Sequence, residues 1–477
     1  MPEAALTTQL AVIGGGPGGY AAAFLAADLG MQVTLIDPEP NPGGVCLYRG
    51  CIPSKALLHI AKVIAETQHA ARWGVTFGPP TIEVERLRAW KQEVVQKLTG
   101  GLGELCKRRR ITYRQGRATF RDATSVTIRT AQEHDATLTF THAIVATGSS
   151  PATLPNLRVD SPHLWNSTTA LEVPDIPSTL LIIGGGYIGL EMGMVYAALG
   201  TRVSVVEMTS GLLPGVDRDL VRVLAKALEK QMAAIMLNTT VVAMAEERNG
   251  IRVTFEGEGV KEPQQVFEKV LIAVGRRPNS SGLGLENTRV QLDQRGFIQV
   301  DAQRRTAEPT IYAIGDLTGE PMLAHKATHE GRVAVEAIGG HNVAFEPHAI
   351  PAVVFTDPEI AWCGLTETQA ERAQRVVEVA RFPWAASGRA TTLGHTEGVT
   401  KLIIDPDTQQ VLGVGIAGSG AGELIAEGVL AVEMAAQVSD VALSIHPHPT
   451  LSETIMEAAE VFLGQSTHIY RPPKKRP

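Results

Sequence analysis

The sequence predicts an α/β chain with two parallel-sheet units and a smaller C-terminal α+β domain. Three observations carry this. The chain opens on a strand, a glycine-rich turn, a helix and a second strand ending in an acid. The same pattern returns at Leu180. From about Ala349 it gives way to short strands, a hairpin and two helices.

At 477 residues, a chain of this size holds two to four domains. Its hydrophobic content of 44% and charged content of 19% are those of an ordinary globular protein. The net charge of −7 argues against nucleic acid as the main partner. No run of ~18 apolar residues predicts a membrane span. Met1 to Gln9 has no basic region followed by an apolar stretch, so no signal peptide is expected and the chain reads as cytoplasmic. Four cysteines are too few for a secreted disulfide framework.

The first unit begins with the apolar strand Leu10 to Ile13. Gly14, Gly16 and Gly19 then form a G-x-G-x-x-G fingerprint, followed by an alanine-rich helix to Gly30 and a strand from Gln32 to Asp37. The first glycine makes the tight turn, the second admits a pyrophosphate, and the third lets helix and strand pack closely. The helix N-terminus favours phosphate, and Asp37 is placed for a ribose hydroxyl.

In the second unit the strand Leu180 to Ile183 precedes Gly184, Gly186 and Gly189. A helix runs to Leu199, and a strand from Arg202 ends at Glu207. Two Rossmann-like dinucleotide-binding domains suit hydride transfer between a nicotinamide and a flavin. Glu207, with no Arg or Lys directly after it, favours NAD over NADP, because a carboxylate accepts from the 2′-hydroxyl and repels a 2′-phosphate.

Between the fingerprints, helical patterns cover His59 to Trp73 and Val84 to Arg110. Short strands follow around Ile111 to Tyr113 and Ser125 to Ile128. The strand from Ala143 ends in a turn at Gly148, and the strand from Val270 ends at Gly275 before Arg276-Arg277-Pro278-Asn279. Asp316 follows the strand from Ile311, where α/β sheets bind ligands, though a helix cap or turn would also explain it. In the C-terminal part, strands Thr400 to Asp405 and Gln410 to Ile416 flank a turn and predict a hairpin. A helix covers Gly422 to Ala436.

The stretch Gly43 to Lys55 carries Cys46 and Cys51. Glycines lead into it and an apolar helical pattern follows. Pro53 suits a first helical turn, so Cys51 is expected just before a helix N-terminus, where the partial positive charge favours a thiolate. On a straight helix, residues five apart have Cα atoms roughly 9 Å apart, too far for a disulfide, and Gly50 permits the distorted turn a bond would need. The spacing alone leaves open two buried apolar thiols, half a metal site or a redox pair. No second close cysteine pair or finger-spaced histidine accompanies them, so no metal site is expected. After His448-Pro449, the spacing Thr450-x-x-Glu453 fits a capping box at a helix start.

Together these segments, with Ala146-Thr147-Gly148, Gly315-Asp316, Leu323-Ala324-His325-Lys326-Ala327 and the motif from His448, resemble the FAD- and NAD-dependent disulfide oxidoreductases, and within them the dihydrolipoyl dehydrogenases. The resemblance spans nearly the whole chain. It implies an FAD-binding domain over 1–150, an NAD-binding domain over 151–276, a return to the first over 277–348, and a dimerisation domain over 349–477. Cys46 would exchange with substrate, and Cys51 would face the flavin. Lys55 would pair with Glu191 near the flavin, and Asp316 would hold its ribityl chain. Gly148, Gly275 and Ala324 fall in the family's cofactor-binding motifs. His448, oriented by Glu453, would act as acid–base from the second subunit of a homodimer.

The implied reaction oxidises dihydrolipoamide on the lipoyl domain of a 2-oxo acid dehydrogenase complex and reduces NAD. Glutathione- and mercuric-type reductases run the other way. They usually take NADP, and the mercuric ones carry extra C-terminal cysteines, which this chain lacks. A docking subunit without turnover would not need both cysteines, His448 and Glu453. Two departures stand out: Tyr48-Arg49 where the family commonly has Asn-Val, and Asp37 where Glu is usual.

Overall fold

The computed structural model describes residues 6–131, 135–157 and 159–470. β1 (Leu6–Ile13) and β2 (Val33–Asp37) are parallel neighbours joined by α1 (Pro17–Asp28). Both strands are buried through their C-terminal halves, as parallel strands covered on both faces must be. The sheet runs Thr112–Gln115, β2, β1, Asp135–Val145, then Ser125–Arg129 and Arg117–Asp122 antiparallel. Ile311–Ala313 pairs parallel with the end of Asp135–Val145, so the chain returns late to complete this sheet. The strand Arg117–Asp122 lies outside the two short strands expected there; its alternating exposed and buried residues give little hydrophobic signal.

The second unit has five parallel strands. Their order is Ala234–Met236, Arg202–Val206, Thr179–Ile183, Lys269–Ile272 and Leu164–Asn166. An antiparallel sheet of Thr239–Glu247, Gly250–Gly257 and Gln264–Phe267 sits beside it. The chain enters and leaves through one antiparallel ribbon, Ser149–Pro151 against Arg276–Pro278. The third unit is a five-stranded antiparallel sheet that includes the hairpin Val399–Ile404 and Val411–Gly418, covered by helices Ala421–Glu433 and Glu453–Leu463.

Close packing at the first fingerprint demands glycine. A Cβ on Gly19 would lie 1.8 Å from the Gly14 carbonyl oxygen. No helix among the described residues is long and apolar enough to cross a membrane.

Lys401, 1% exposed, fastens the third unit to the second. Its Nζ donates to Asp217, Asp219 and Glu367 at 2.7, 2.7 and 2.5 Å. Burial alone would pull the ammonium down, but the three carboxylates hold it above its ordinary value. Those acids bring their oxygens within 4.8 Å of one another, and the lysine nitrogen sits among them. Lys401→Met is therefore expected to destabilise the protein by about 3–5 kcal/mol, because it strands the buried Asp217 and leaves Arg381 alone to offset Asp219 and Glu367. Chemical denaturation would read this, and an unchanged midpoint would show the cluster to be neutralised some other way.

Candidate active site

α2 (Gly44–Arg49) carries Cys46, and α3 (Cys51–His69) begins at Cys51 itself. Cys51 is thus the first helical residue rather than the one before the helix, and the buried Pro53 lies in the first turn as expected. Gly50 breaks the helix between the two cysteines, with a backbone at φ −144° and ψ −114°. The break lets two sulfurs five residues apart meet. All four cysteines are free thiols in this structure, and Cys46 and Cys51 are described as a dithiol pair.

The two thiols are unequal. Cys46 donates a hydrogen bond to the Cys51 sulfur, and with Lys55 nearby this lowers the Cys51 thiol to about 7, against some desolvation by the surrounding chain. The same bond, together with burial, pushes Cys46 well above the usual thiol range. Cys106 and Cys363 are pushed up to about 11 and about 12 by burial and are inert by comparison.

Both active cysteines line a cavity of about 1630 Å³, well above the ~300–1,000 Å³ of drug-sized ligand sites. It takes in Gly14, Gly16, Asp37, Lys55, Gly148 and Asp316, and also Ala324. A dinucleotide fits this set. The α1 N-terminus faces the cavity for the pyrophosphate, and Asp37 and Asp316 are among the acids on its wall. Asp37 accepts from the Gly15 amide at 2.6 Å and the Glu39 amide at 2.9 Å. Desolvation pushes its carboxyl up, and these bonds oppose that. Asp316 accepts from Ser149 Oγ, which in turn accepts from Arg276 Nε at 2.7 Å.

The second fingerprint repeats the arrangement. Glu207 accepts from the Gly185 amide at 2.7 Å and the Thr209 amide at 2.8 Å, the counterparts of Gly15 and Glu39. A held carboxylate keeps lone pairs for ribose hydroxyls. Gly184, Gly186, Gly189, Glu207 and Gly275 do not line the large cavity. The helix after this fingerprint, Tyr187–Ala198, does reach it, through Tyr187, Ile188, Glu191 and Met192. Lys55 Nζ meets Glu191 Oε2 at 2.9 Å, so the cysteine helix and the second fingerprint helix are joined directly. Sequence reasoning passed over Tyr187, Ser149 and Arg276. Tyr187's place as first residue after the fingerprint's second glycine was the available signal.

His448 Nδ1 meets Glu453 Oε1 at 2.8 Å, and Nε2 is left for other partners. Burial pushes Glu453 up, but bonds from the Thr450 amide and His448 bring it below its ordinary value, so it stays a carboxylate. Only half of a capping box forms. Thr450 N donates to Glu453, but Thr450 Oγ1 donates to the Pro447 carbonyl, and the helix starts at Glu453. His448 is 72% exposed, and neither it nor Glu453 lines the cavity that holds the cysteines.

Residues 8–331 match the family model described as pyridine nucleotide-disulphide oxidoreductase, and 350–459 match that family's dimerisation domain. The chain belongs to the pyridine nucleotide-disulphide oxidoreductases. Within them its relatives are dihydrolipoyl dehydrogenases. The one from Haemophilus influenzae is 48% identical and the one from Vibrio parahaemolyticus 46%, each over 97% of both chains. The crystal structure of LpdA from Mycobacterium tuberculosis is similar with a TM-score of 0.88 at 27% identity, covering 95% of this chain and 99% of its own.

In the reduced protein, Cys51 is expected to ionise near pH 7, against ~8.5 for a free thiol. It is then mostly thiolate above pH 7 and mostly thiol below it. Site-resolved alkylation across pH reads this directly, and Lys55→Met should move the inflection upward. A wild-type inflection at 8.5 or above would contradict the polarised pair.

Proposed function

We propose that this chain is a dihydrolipoyl dehydrogenase: it oxidises dihydrolipoamide borne on the lipoyl domain of a 2-oxo acid dehydrogenase complex and reduces NAD. The observation that carries the reading is the unequal thiol pair at a helix break, facing a dinucleotide-sized cavity in a chain nearly half identical to such enzymes.

The chain's own residues account for the exchange. In the oxidised protein Cys46 and Cys51 are bonded. His448 Nε2 takes a proton from one substrate thiol, and Glu453 on Nδ1 fixes the tautomer and steadies the imidazolium. The substrate thiolate attacks Cys46 Sγ and the Cys46–Cys51 bond breaks, with Cys51 leaving as thiolate. A low-pKa thiol is the better leaving group, and Cys51 is that thiol. The second substrate thiol then attacks its own sulfur bonded to Cys46. This closes the lipoamide disulfide and returns the electron pair to Cys46, which takes up a proton. One dithiol and one disulfide have exchanged.

Gly14, Gly16, Gly19, Asp37, Lys55, Gly148, Asp316 and Ala324 would hold FAD. Glu191 would stay paired with Lys55 beside the flavin, and Gly184, Gly186, Gly189, Glu207 and Gly275 would hold NAD. The bound flavin supplies two-electron exchange with the dithiol on one side and a nicotinamide on the other.

His448 and Glu453 serve the cysteines of a second copy, so the working unit is a homodimer with shared sites. The dimerisation-domain match and the exposure of His448 support this. A thiol pair that must be reduced in each turnover suits the cytoplasm.

Anaerobic titration with dihydrolipoamide should raise a long-wavelength thiolate–flavin band that Cys51→Ser abolishes. FAD-loaded protein that cannot reduce NAD with dihydrolipoamide would sink the reading. His448→Gln should lower turnover by about 10²–10⁴-fold, the usual worth of a general base. Heterodimers of Cys46→Ser and His448→Gln chains should recover activity that neither homodimer has. No recovery would mean that each chain uses its own histidine.

A further inference from the structure

The two departures from the family pattern, Asp37 and Tyr48-Arg49, meet in space. α2 is a six-residue helix whose one task in the exchange is to hold Cys46, and both its ends are fastened to the dinucleotide loops. At its start the Gly43 amide donates to the Gly15 carbonyl at 2.7 Å. A Cβ on Gly44, which has φ +56°, would lie 2.5 Å from the Gly16 Cα. At its end Tyr48 Oη donates to the Asn41 carbonyl at 3.1 Å, and Arg49 Nη2 pairs with Glu39.

Glu39 is the node. Its amide donates to Asp37 Oδ1 at 2.9 Å, its carbonyl accepts from Tyr113 Oη at 2.7 Å, and its carboxylate holds Arg49. Arg49 stands on the cavity wall with Asp37, Glu39 and Cys46, its side chain 36% exposed and that of Glu39 20%.

We propose that Arg49 is a positioning residue that, through Glu39, latches the Cys46 helix to the Asp37 loop, so that flavin retention and placement of the attacking thiol depend on each other. The flavin identity of the ligand rests on the function proposed above. The physical reason lies in the charges. Burial pushes the Asp37 carboxyl up, and a second acid, Glu39, stands two residues away. The Glu39 and Gly15 amides oppose the burial, and the Arg49 guanidinium, paired with Glu39, adds a smaller pull in the same direction. The coupling is reciprocal: whatever orders the Asp37 loop also orders the last turn of α2, three residues from Cys46.

The experiment is a two-by-two set: wild type, Arg49→Val, Glu39→Gln and the double variant. Each is read by the dissociation constant for FAD, from flavin fluorescence on dilution, and by site-resolved alkylation of Cys46 in flavin-free protein. Losing a charge-assisted bond beside a partly buried acid should raise the FAD dissociation constant of Arg49→Val about tenfold. Arg49→Lys should recover part of that. The double variant should be no weaker than Arg49→Val, because the pair acts as one unit. Cys46 alkylation should quicken in Arg49→Val. If Arg49→Val does not fold, Glu39→Gln still breaks the pair, and it should weaken FAD binding and quicken alkylation in the same direction.

Unchanged FAD affinity in both single variants, or strictly additive effects in the double variant, would overturn the latch. Wild-type protein that binds no FAD would instead overturn the functional reading, and the two failures are thereby told apart.

Discussion

The carboxylate of Glu191 accepts from Lys55 Nζ at 2.9 Å and from the Phe355 amide at 3.0 Å. Lys55 belongs to the cysteine helix, Glu191 to the second fingerprint helix, and Phe355 to the C-terminal unit. The lysine also lies over the Phe355 ring, 4.4 Å from its centroid. One acid, its side chain 4% exposed, is where three units are held in register. Removing Lys55 would strand the nearly buried Glu191 carboxylate, and removing Glu191 would loosen Lys55, whose side chain is a third exposed. A small rotation of one unit would separate the groups, so the distance between the sulfurs and the second fingerprint is set here.

Polarisation of the thiols follows from the same frame. Lys55 lies one turn beyond Cys51 on α3, and its charge is anchored by Glu191 rather than free to wander. The break at Gly50 turns Cys46 toward Cys51, so that one sulfur donates and the other accepts. The asymmetry needed for ordered exchange is therefore built from a helix break and one fixed cation.

Much of this was legible in the residues. The two fingerprints announced themselves by glycine spacing and flanking apolar strands, because close helix–strand packing tolerates nothing larger at Gly19. The Lys55–Glu191 contact and the His448–Glu453 contact were reached through resemblance, and both distances are those of real bonds. What escaped was cross-chain geometry. The Asp316–Ser149–Arg276 chain and the Lys401 cluster join residues far apart in sequence, whose types are ordinary surface types. Tyr48 and Arg49 were visible as departures, but their partners Asn41 and Glu39 carry no motif. The last helix, Glu453–Leu463, begins at Glu453, because Thr450 spends its hydroxyl on the Pro447 carbonyl instead of capping.

The ribbon of Ser149–Pro151 against Arg276–Pro278 makes the second unit an insertion within the first. This has a consequence for biosynthesis. The first sheet lacks the strand Ile311–Ala313 until the whole inserted unit has left the ribosome. At ~5–20 residues per second, the edge of Asp135–Val145 waits roughly ten seconds or more for its partner. During that interval the inserted unit has all five of its parallel strands and can close, while the earlier-made unit cannot. The order of completion therefore runs against the order of synthesis, and the nascent chain carries an open, apolar sheet edge that a chaperone or the folded insertion itself must shield.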